Sequence, residues 1–250
     1  MDDLLRATAR AEARHFWFRG FRAFVTPLVR RALAGHAGGR ILDCGCGTGV
    51  NLEVLGRFGL AFGFDLSLVG ARFARDRGTR VARASVTAVP FPSGTFDLVT
   101  SFDVLYALEE RDEAAAVREM FRVLRPGGCA IVNVAAMPVL TGDHSVLSHE
   151  RRRYTRASLS RLLESAGFRI ERITYTNAVL FLPMLAIRTF HRWRGLAAET
   201  EAAGEITVPA APINSVMSGL LLIESAWLRV ANSPFGSSLL CLARKPGKSG

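Results

Sequence analysis

The sequence predicts an α/β fold in which helices cover both faces of a mostly parallel sheet. Short apolar runs typical of buried strands alternate with stretches of helical periodicity between residues 40 and 135. Two of these runs end in an acidic residue, and the first is followed by a loop with glycine at every second position. A chain of 250 residues, 49% of them hydrophobic, can bury the core that such a sheet requires.

The alternating pattern gives bounds for each element. Strands are predicted at 40–44, 60–65, 79–84, 95–101, 128–135, 168–176 and 237–244. Helices are predicted within residues 1–35 and at 48–58, 67–77, 112–124 and 155–166. Thr155 is the expected N-cap of the last helix, and Gly167 lies just past its end. Pro27 is expected to break or kink the opening helical segment, because proline lacks an N–H and clashes with the preceding turn.

The chain divides into three parts. Residues 1–36 form a helical cap, residues 37–176 plus 233–245 form the core, and residues 177–232 form a helical insertion before the last strand. The insertion contains two amphipathic helices, at 179–193 and 214–230, and neither reaches the roughly 20 apolar residues of a membrane span. Three interpretations remain open for it: a roof over an apolar acceptor, an oligomer interface such as a homodimer, or a contact with a membrane surface.

The net charge of +10 and the pI near 10.6 raise the question of an acidic partner. Lys245 and Lys248 are the only lysines, so the excess is arginine scattered along the chain. This distribution does not favour nucleic acid. The residues before Arg14 lack the apolar segment of a secretory signal, so a cytoplasmic location is expected. Cys44 and Cys46 have no second ligand pair at a suitable spacing, and we expect no metal site.

The glycine-rich loop follows the first strand, within residues 40–49. Its pattern is D-x-G-x-G-x-G, starting at Asp43. A dinucleotide fingerprint needs a third glycine at the position that Val50 occupies here, so that interpretation is weakened. Glycines in such a loop let the backbone approach a ligand closely.

Four segments in the same order resemble motifs of the class I S-adenosylmethionine (SAM) dependent methyltransferases. They are the loop at 40–49, the strand end at 63–67, the segment 89–99 and the turn at 123–128 with the apolar run behind it. The resemblance covers roughly residues 40–135. It implies a Rossmann-like fold with a seven-stranded sheet, and SAM as cofactor with S-adenosylhomocysteine as product.

The resemblance also implies a set of cofactor contacts. The backbone of Gly45, Cys46 and Gly47 would face the methionine end of SAM, and Asp43 would accept from its ammonium group. Asp65 would bind the ribose and Leu66 would lie against the adenine. Ser85 and Val86 are expected at the adenine, and the segment around Phe102 would supply a backbone carbonyl to the ammonium group. The opening helices, with Trp17, would close over the cofactor, and Arg19 or Arg22 could pair with its methionine carboxylate. The alternative for this segment is core aromatics with solvated arginines.

The acceptor site is less well defined. Many relatives carry a histidine after the fourth strand, and here Tyr106 stands next to that position. His144 and His149 lie in the loop after the fifth strand, and histidine is the side chain whose unperturbed pKa suits a general base near neutral pH. The alternative for both is a structural role in the loop. Asp103 is expected to face the ligand pocket or to cap a turn, and Arg153 and Tyr154 to bind the acceptor or to tie the loop to the sheet.

These residues predict transfer of a methyl group to an oxygen or nitrogen of a small, apolar or partly anionic acceptor by direct displacement. The first alternative is a SAM-binding module without catalysis. Methylation of nucleic-acid bases is disfavoured, because the sequence after the fourth strand lacks the D/N-P-P-Y/F turn of the exocyclic-amine enzymes. A cysteine nucleophile is also missing near that strand.

Overall fold

A computed structural model describes residues 2–36, 38–140, 150–194 and 207–247. The strands of these residues are β1 Arg40–Cys44, β2 Leu60–Asp65, β3 Arg80–Arg83, β4 Phe96–Phe102, β5 Leu124–Ala135, β6 Arg169–Thr176 and β7 Ser238–Arg244. The α-helices are α1 Asp2–Ala11, α2 Phe16–Ala32, α3 Val50–Leu55, α4 Leu68–Asp76, α5 Glu110–Val123, α6 Arg156–Ser165, α7 Phe181–Arg194 and α8 Ala211–Trp227.

The strands form one seven-stranded sheet in the order β3-β2-β1-β4-β5-β7-β6. The first five strands in this order, β3, β2, β1, β4 and β5, pair in parallel. Strand β7 pairs antiparallel with both β5 and β6. The prediction of a mostly parallel, seven-stranded sheet with helices is therefore confirmed. The direction of chain progression across the sheet reverses between β1 and β4, and open α/β sheets bind ligands at the carboxyl ends of the strands beside such a point.

Local sequence explains most element boundaries. Ser67 caps α4 by accepting from the N–H groups of Val69 and Gly70. Thr155 caps α6 in a capping box with Ser158, as the sequence predicted. Helix α3 is shorter than expected, because Gly49 immediately before it adopts the left-handed conformation with φ 81°. Strand β5 begins four residues earlier than expected, because Leu124 already pairs with Phe96 across a register shift.

Two apolar layers cover the sheet. Helices α5 and α6 pack on one face through Val117, Met120 and Leu163. On the other face, helices α2 and α3 pack through Val29 and Leu55 against buried side chains of the strands. The prediction of helices on both faces is thus confirmed, and the sheet ends rather than its faces are left for ligands.

Of the two expectations for Pro27, a break or a kink, the break is wrong, because α2 continues through it. Proline at this position removes the donor that would bond the carbonyl of Ala23, four residues earlier. The hydroxyl of Ser225 on α8 donates to that carbonyl at 2.9 Å. A side chain from the insertion therefore replaces the missing helical hydrogen bond.

The cap and the insertion, separate in the sequence, pack against each other. The side-chain oxygen of Asn214 accepts from the N–H of Phe16 at 2.8 Å, and its amide donates to the carbonyl of Arg14 at 2.9 Å. A Cβ on Gly20 would lie 2.4 Å from Leu221, so only glycine permits this approach of α2 and α8. Within the described residues, no helix has the length and apolarity needed to cross a membrane.

Candidate active site

The candidate site lies at the carboxyl ends of β1, β2 and β4, beside the reversal point of the sheet. The parallel register places Asp43 next to Gly63 on β2 and next to Thr100 on β4. The glycine-rich loop leaves β1 at Gly45, and Asp65 ends β2. The two acids and the loop that the sequence singled out are therefore brought together.

The N–H groups of the loop are used inside the protein. Gly45 and Cys46 both donate to the carbonyl of Phe64 at 2.9 Å, and Gly47 donates to the carboxylate of Asp65 at 2.8 Å. All three N–H groups therefore have acceptors inside the protein, because β2 ends beside the loop and supplies them. The contact of this loop backbone with the methionine end of SAM stays a prediction. The loop can still offer a ligand its glycine Cα atoms and carbonyl groups.

Close packing explains why Gly45 is a glycine. Its φ is 79°, in the left-handed region that favours glycine. A Cβ there would lie 2.5 Å from Val104, which directly follows Asp103 at the end of β4. The loop and the end of β4 are therefore in van der Waals contact. This contact brings the segment around Asp103 next to the expected methionine end of the cofactor.

Asp65 organises the end of β2. Its two carboxylate oxygens accept from the N–H groups of Gly47 and Ser67, each at 2.8 Å. Desolvation raises the pKa of this carboxyl, and the backbone donors act in the opposite direction. Each carboxylate oxygen keeps acceptor capacity for a ribose hydroxyl. The neighbouring Leu66 side chain is 66% exposed, so an apolar group and a carboxylate stand side by side where an adenosine would lie.

Ser85 and Val86 lie just after β3, beside Asp65. The N–H of Ala84 donates to the carbonyl of Asp65 at 3.1 Å, which fixes the segment there. The Ser85 hydroxyl bonds Thr87 through its side chain at 2.8 Å and its N–H at 3.2 Å. Val86 packs against the apolar layer under the sheet. The position agrees with an adenine contact, but the Ser85 hydroxyl is already engaged in a local turn.

Asp43 is the most deeply buried acid of the site, at 1% exposure. The hydroxyl of Thr100 donates to its carboxyl at 2.6 Å, and Asp43 has no cationic partner within the described part of the chain. Desolvation raises its pKa to about 7, and the nearby charge of Asp65 acts in the same direction. A buried carboxyl without a counter-ion fits an incoming ammonium group. Thr100 is a residue that sequence reasoning missed.

Asp103 directly follows β4. Its φ of 60° is unusual for a residue other than glycine. Asn133 holds it in place, since the Asn133 carbonyl accepts from the Asp103 N–H at 3.0 Å and the Asn133 amide donates to the carboxyl at 2.9 Å. Solvent reaches the side chain, yet protein surrounds its other sides. The resulting desolvation raises the pKa of the carboxyl, an effect that Glu150 strengthens and Arg153 opposes.

Phe102, directly before Asp103, lies under the opening helices. Its ring meets that of Phe21 edge to face, with centroids 5.0 Å apart. Its own side chain is buried. Any contact of Phe102 with the cofactor would therefore come from its backbone, as the resemblance implied, while its ring anchors α2.

The other acceptor-site candidates include two histidines that the structure does not describe and a tyrosine in the core. His144 and His149 lie outside the described residues. Tyr106 is buried in the apolar layer with α5, and its carbonyl accepts from the N–H groups of Arg151 and Arg152.

Tyr154 is buried too, and its hydroxyl donates to Glu113, which raises the pKa of the phenol. Arg153 pairs with Glu150 at 2.7 Å and donates to the carbonyl of Ala136 at 3.0 Å. Of the two roles left open for Tyr154 and Arg153, these contacts favour tying the loop to the sheet. Substrate binding by Tyr154 is not supported, because its hydroxyl is used within the core.

The opening helices reach the loop through a residue that sequence reasoning missed. Glu12 is buried at the junction of α1 and α2, and it accepts from the Thr48 hydroxyl at 2.5 Å and from Arg77 at 2.6 Å. Arg77 also donates to the Thr48 carbonyl at 3.0 Å. No sequence pattern marked Glu12, because its partners lie 36 and 65 positions away.

The residues of the opening helices that were expected near the cofactor have different positions, and Arg19 is exposed. Arg22 donates to the backbone carbonyl of Glu12 at 3.1 Å, and desolvation lowers the pKa of its guanidinium. The N–H of Trp17 donates to the ring nitrogen of His15, the N-cap of α2. Arg22 is therefore adjacent to the junction that binds Thr48, whereas the Trp17 side chain is half-buried at the start of α2.

We expect Glu12→Gln to loosen α1 from the glycine-rich loop and to weaken SAM binding about tenfold. The reason is that removing one charge of a buried pair leaves Arg77 without its closest partner. Hydrogen exchange of residues 2–15 and calorimetric titration with SAM measure the two effects. Glu53→Gln is the matched control, since Glu53 pairs with the same arginine at 3.2 Å but is 42% exposed. Equal behaviour of the two variants would contradict the assignment.

Comparison with known proteins agrees with this geometry. Residues 42–132 match the family described as "Methyltransferase domain". A probable S-adenosylmethionine-dependent methyltransferase of Mycolicibacterium smegmatis is 30% identical over 162 residues, covering 63% of this chain and 61% of that protein. A demethylmenaquinone methyltransferase of Corynebacterium urealyticum is 36% identical over 122 residues, covering 47% and 51%.

Among solved structures, the crystal structure of the [4+2]-cyclase SpnF superimposes with a TM-score of 0.59 at 23% identity. The alignment covers 90% of this chain and 81% of that one, and at this identity it shows the fold alone. The chain spans about half to three fifths of the length of the two curated relatives above. Residues 42–132 therefore carry a methyltransferase domain, and the fold and the loop with its two acids agree with a class I SAM-dependent methyltransferase.

Proposed function

We propose that this protein transfers a methyl group from SAM to an oxygen or nitrogen of a small, apolar or partly anionic acceptor. The observation that carries the proposal is the joint placement of Asp43, Asp65 and Asp103 around one glycine-rich loop. Asp43 suits the ammonium group of SAM and Asp65 suits its ribose. Asp103 lies beside the expected methionine end, on the side from which the acceptor would approach. The demethylmenaquinone methyltransferase relative supports a small-molecule acceptor, by its name alone.

SAM, when bound, supplies an electrophilic methyl group on a sulfonium. The residues of the chain would then position the reactants and remove a proton from the acceptor. Asp43 would pair with the ammonium group, and Asp65 would hold the ribose. In the displacement that SAM would support, the acceptor's lone pair would bond to the methyl carbon, the electron pair of the methyl–sulfur bond would stay on the sulfur of S-adenosylhomocysteine, and a base of the chain would take the acceptor's proton.

Asp103 is the base that the geometry supports best. Its carboxyl is open to solvent, its raised pKa lies closer to neutrality than that of an ordinary aspartate, and Asn133 fixes its direction. The side chains of His144, His149 and Tyr106 remain predictions from the sequence for the same role.

The expected result for Asp103→Asn is a fall in kcat of about 100-fold with nearly unchanged SAM affinity. Asparagine tolerates the positive φ and can still accept from Asn133, so the backbone is preserved. Methyl transfer from labelled SAM is measured over a panel of phenols, carboxylates and amines, with a tRNA pool as a further arm. His144→Ala, His149→Ala and Tyr106→Phe are assayed in parallel.

The outcomes separate the alternatives. A histidine variant that loses turnover while Asp103→Asn retains it would move the base to the loop after β5. Transfer to tRNA alone would contradict the small-molecule acceptor. Tight SAM binding without transfer to any acceptor would favour the non-catalytic SAM-binding module.

A further inference from the structure

Helix α8 has an inverted distribution of polar and apolar residues. Its buried positions include Asn214, Ser218, Glu224 and Ser225, although Leu221 also lies inward. Four apolar residues on the outside, which we call the outer stripe, are 57–69% exposed: Ile213, Val216, Ile223 and Trp227. In a regular helix these four lie within about 80° of one another. No exposed position of α8 carries a charged side chain.

The polar side of α8 is fixed against the protein. Asn214 bonds the backbone of Arg14 and Phe16, and Ser225 bonds that of Ala23. The carboxylate of Glu224 accepts from the N–H groups of Ala178 at 2.9 Å and of Val179 at 3.2 Å. Rotating α8 to bury the stripe would break these hydrogen bonds, so the outer stripe is held facing outward.

The residues on and next to the stripe carry no exposed acid. Glu224 is the single acidic residue within 207–232 and is buried, whereas Arg229, two residues after α8, is exposed. The insertion's other acids, Glu199, Glu201 and Glu205, belong to residues 195–206. Helix α7 also has exposed apolar side chains, Phe190 and Trp193 among them.

We propose that the outer stripe docks on an anionic lipid surface. Exposed tryptophan and aliphatic side chains with arginines and without exposed acids are typical of helices that lie in a membrane interface. None of the described helices could span the bilayer, so this contact is peripheral. A second copy of the chain fits less well, because a two-fold contact would place Arg229 of both copies, each of net charge +10, at the same interface.

The test uses the full chain and sedimentation with vesicles of phosphatidylcholine alone or with one third phosphatidylglycerol. We expect binding to the anionic vesicles that weakens as salt is raised, with a blue shift of tryptophan fluorescence. The double variant Ile223→Gln/Trp227→Gln is expected to lower the partition coefficient by about tenfold or more. Leu60→Gln is the matched control, because Leu60 is an exposed apolar residue at the start of β2, at the opposite end of the strands from the site.

Thermal unfolding and SAM titration of both variants report whether the fold is intact. Absence of vesicle binding by the wild type at low salt would overturn the proposal. Equal vesicle binding by the double variant would also overturn it, because the binding would then come from arginines scattered over the surface. A dimer in analytical ultracentrifugation that the double variant abolishes, without vesicle binding, would assign the stripe to a second copy. Since vesicle binding needs no acceptor, its failure is distinguishable from failure of methyl transfer.

Discussion

Replacing Asp65 with alanine is expected to weaken SAM binding by at least about 100-fold. Two charge-assisted hydrogen bonds to the ribose would be lost, each worth about 1.5–3 kcal/mol. The same change leaves the N–H groups of Gly47 and Ser67 without their acceptor, so the end of β2 and the loop lose their mutual support. Isothermal titration with SAM and with S-adenosylhomocysteine measures the effect.

Two further variants separate ribose binding from loop support. Asp65→Asn keeps one acceptor oxygen and is expected to fall between wild type and Asp65→Ala. Asp76→Ala removes an exposed carboxylate at the end of α4 and is expected to bind SAM like wild type. Unchanged affinity in Asp65→Ala would remove the ribose assignment, and with it the placement of the cofactor across β1 and β2.

Replacing Asp43 with asparagine is expected to have opposite effects on stability and on SAM affinity. In the ligand-free protein, burial raises the pKa of Asp43 from 3.8 to about 7. Between these pH values the folded state holds a proton that the unfolded chain has lost. The free energy of unfolding therefore falls as pH rises from about 4 to about 7, and the loss persists above pH 7.

The asparagine variant lacks this titration. Without ligand at pH 8, its Tm is expected to be higher than that of wild type. The gain in the free energy of unfolding is at most roughly 4 kcal/mol, since one pKa unit corresponds to about 1.4 kcal/mol. Its SAM affinity is expected to fall about 10- to 100-fold, because the ammonium group loses an ionised partner. Wild-type affinity should rise with pH up to about 7 and then level off, as SAM binding displaces the proton on Asp43.

Differential scanning calorimetry and SAM titrations at pH 6, 7 and 8 test both expectations. Thr100→Val is a useful comparison, because it removes the hydroxyl that donates to Asp43 and should raise the pKa of that carboxyl further. A parallel pH dependence of SAM binding in wild type and Asp43→Asn would contradict the pairing of Asp43 with the ammonium group.

Sequence alone determined the order of strands and helices and the identity of the two strand-end acids. Apolar periodicity, the glycine spacing and the cap at Thr155 are local patterns, and each was confirmed in the fold. Their local character is the physical reason they could be found, since strand and helix periodicity, positive φ at glycine and helix capping depend on residues a few places apart.

The tertiary structure alone decided which distant groups meet. The register of β1 on β4 places Thr100 against Asp43, and β2 supplies the acceptors that occupy the loop's N–H groups. Glu12 reaches Thr48, Asn133 holds Asp103, and Ser225 compensates Pro27, all across separations that carry no periodic signal. The inverted face of α8 is of the same kind, because polar side chains point inward only where another part of the chain presents unpaired backbone groups.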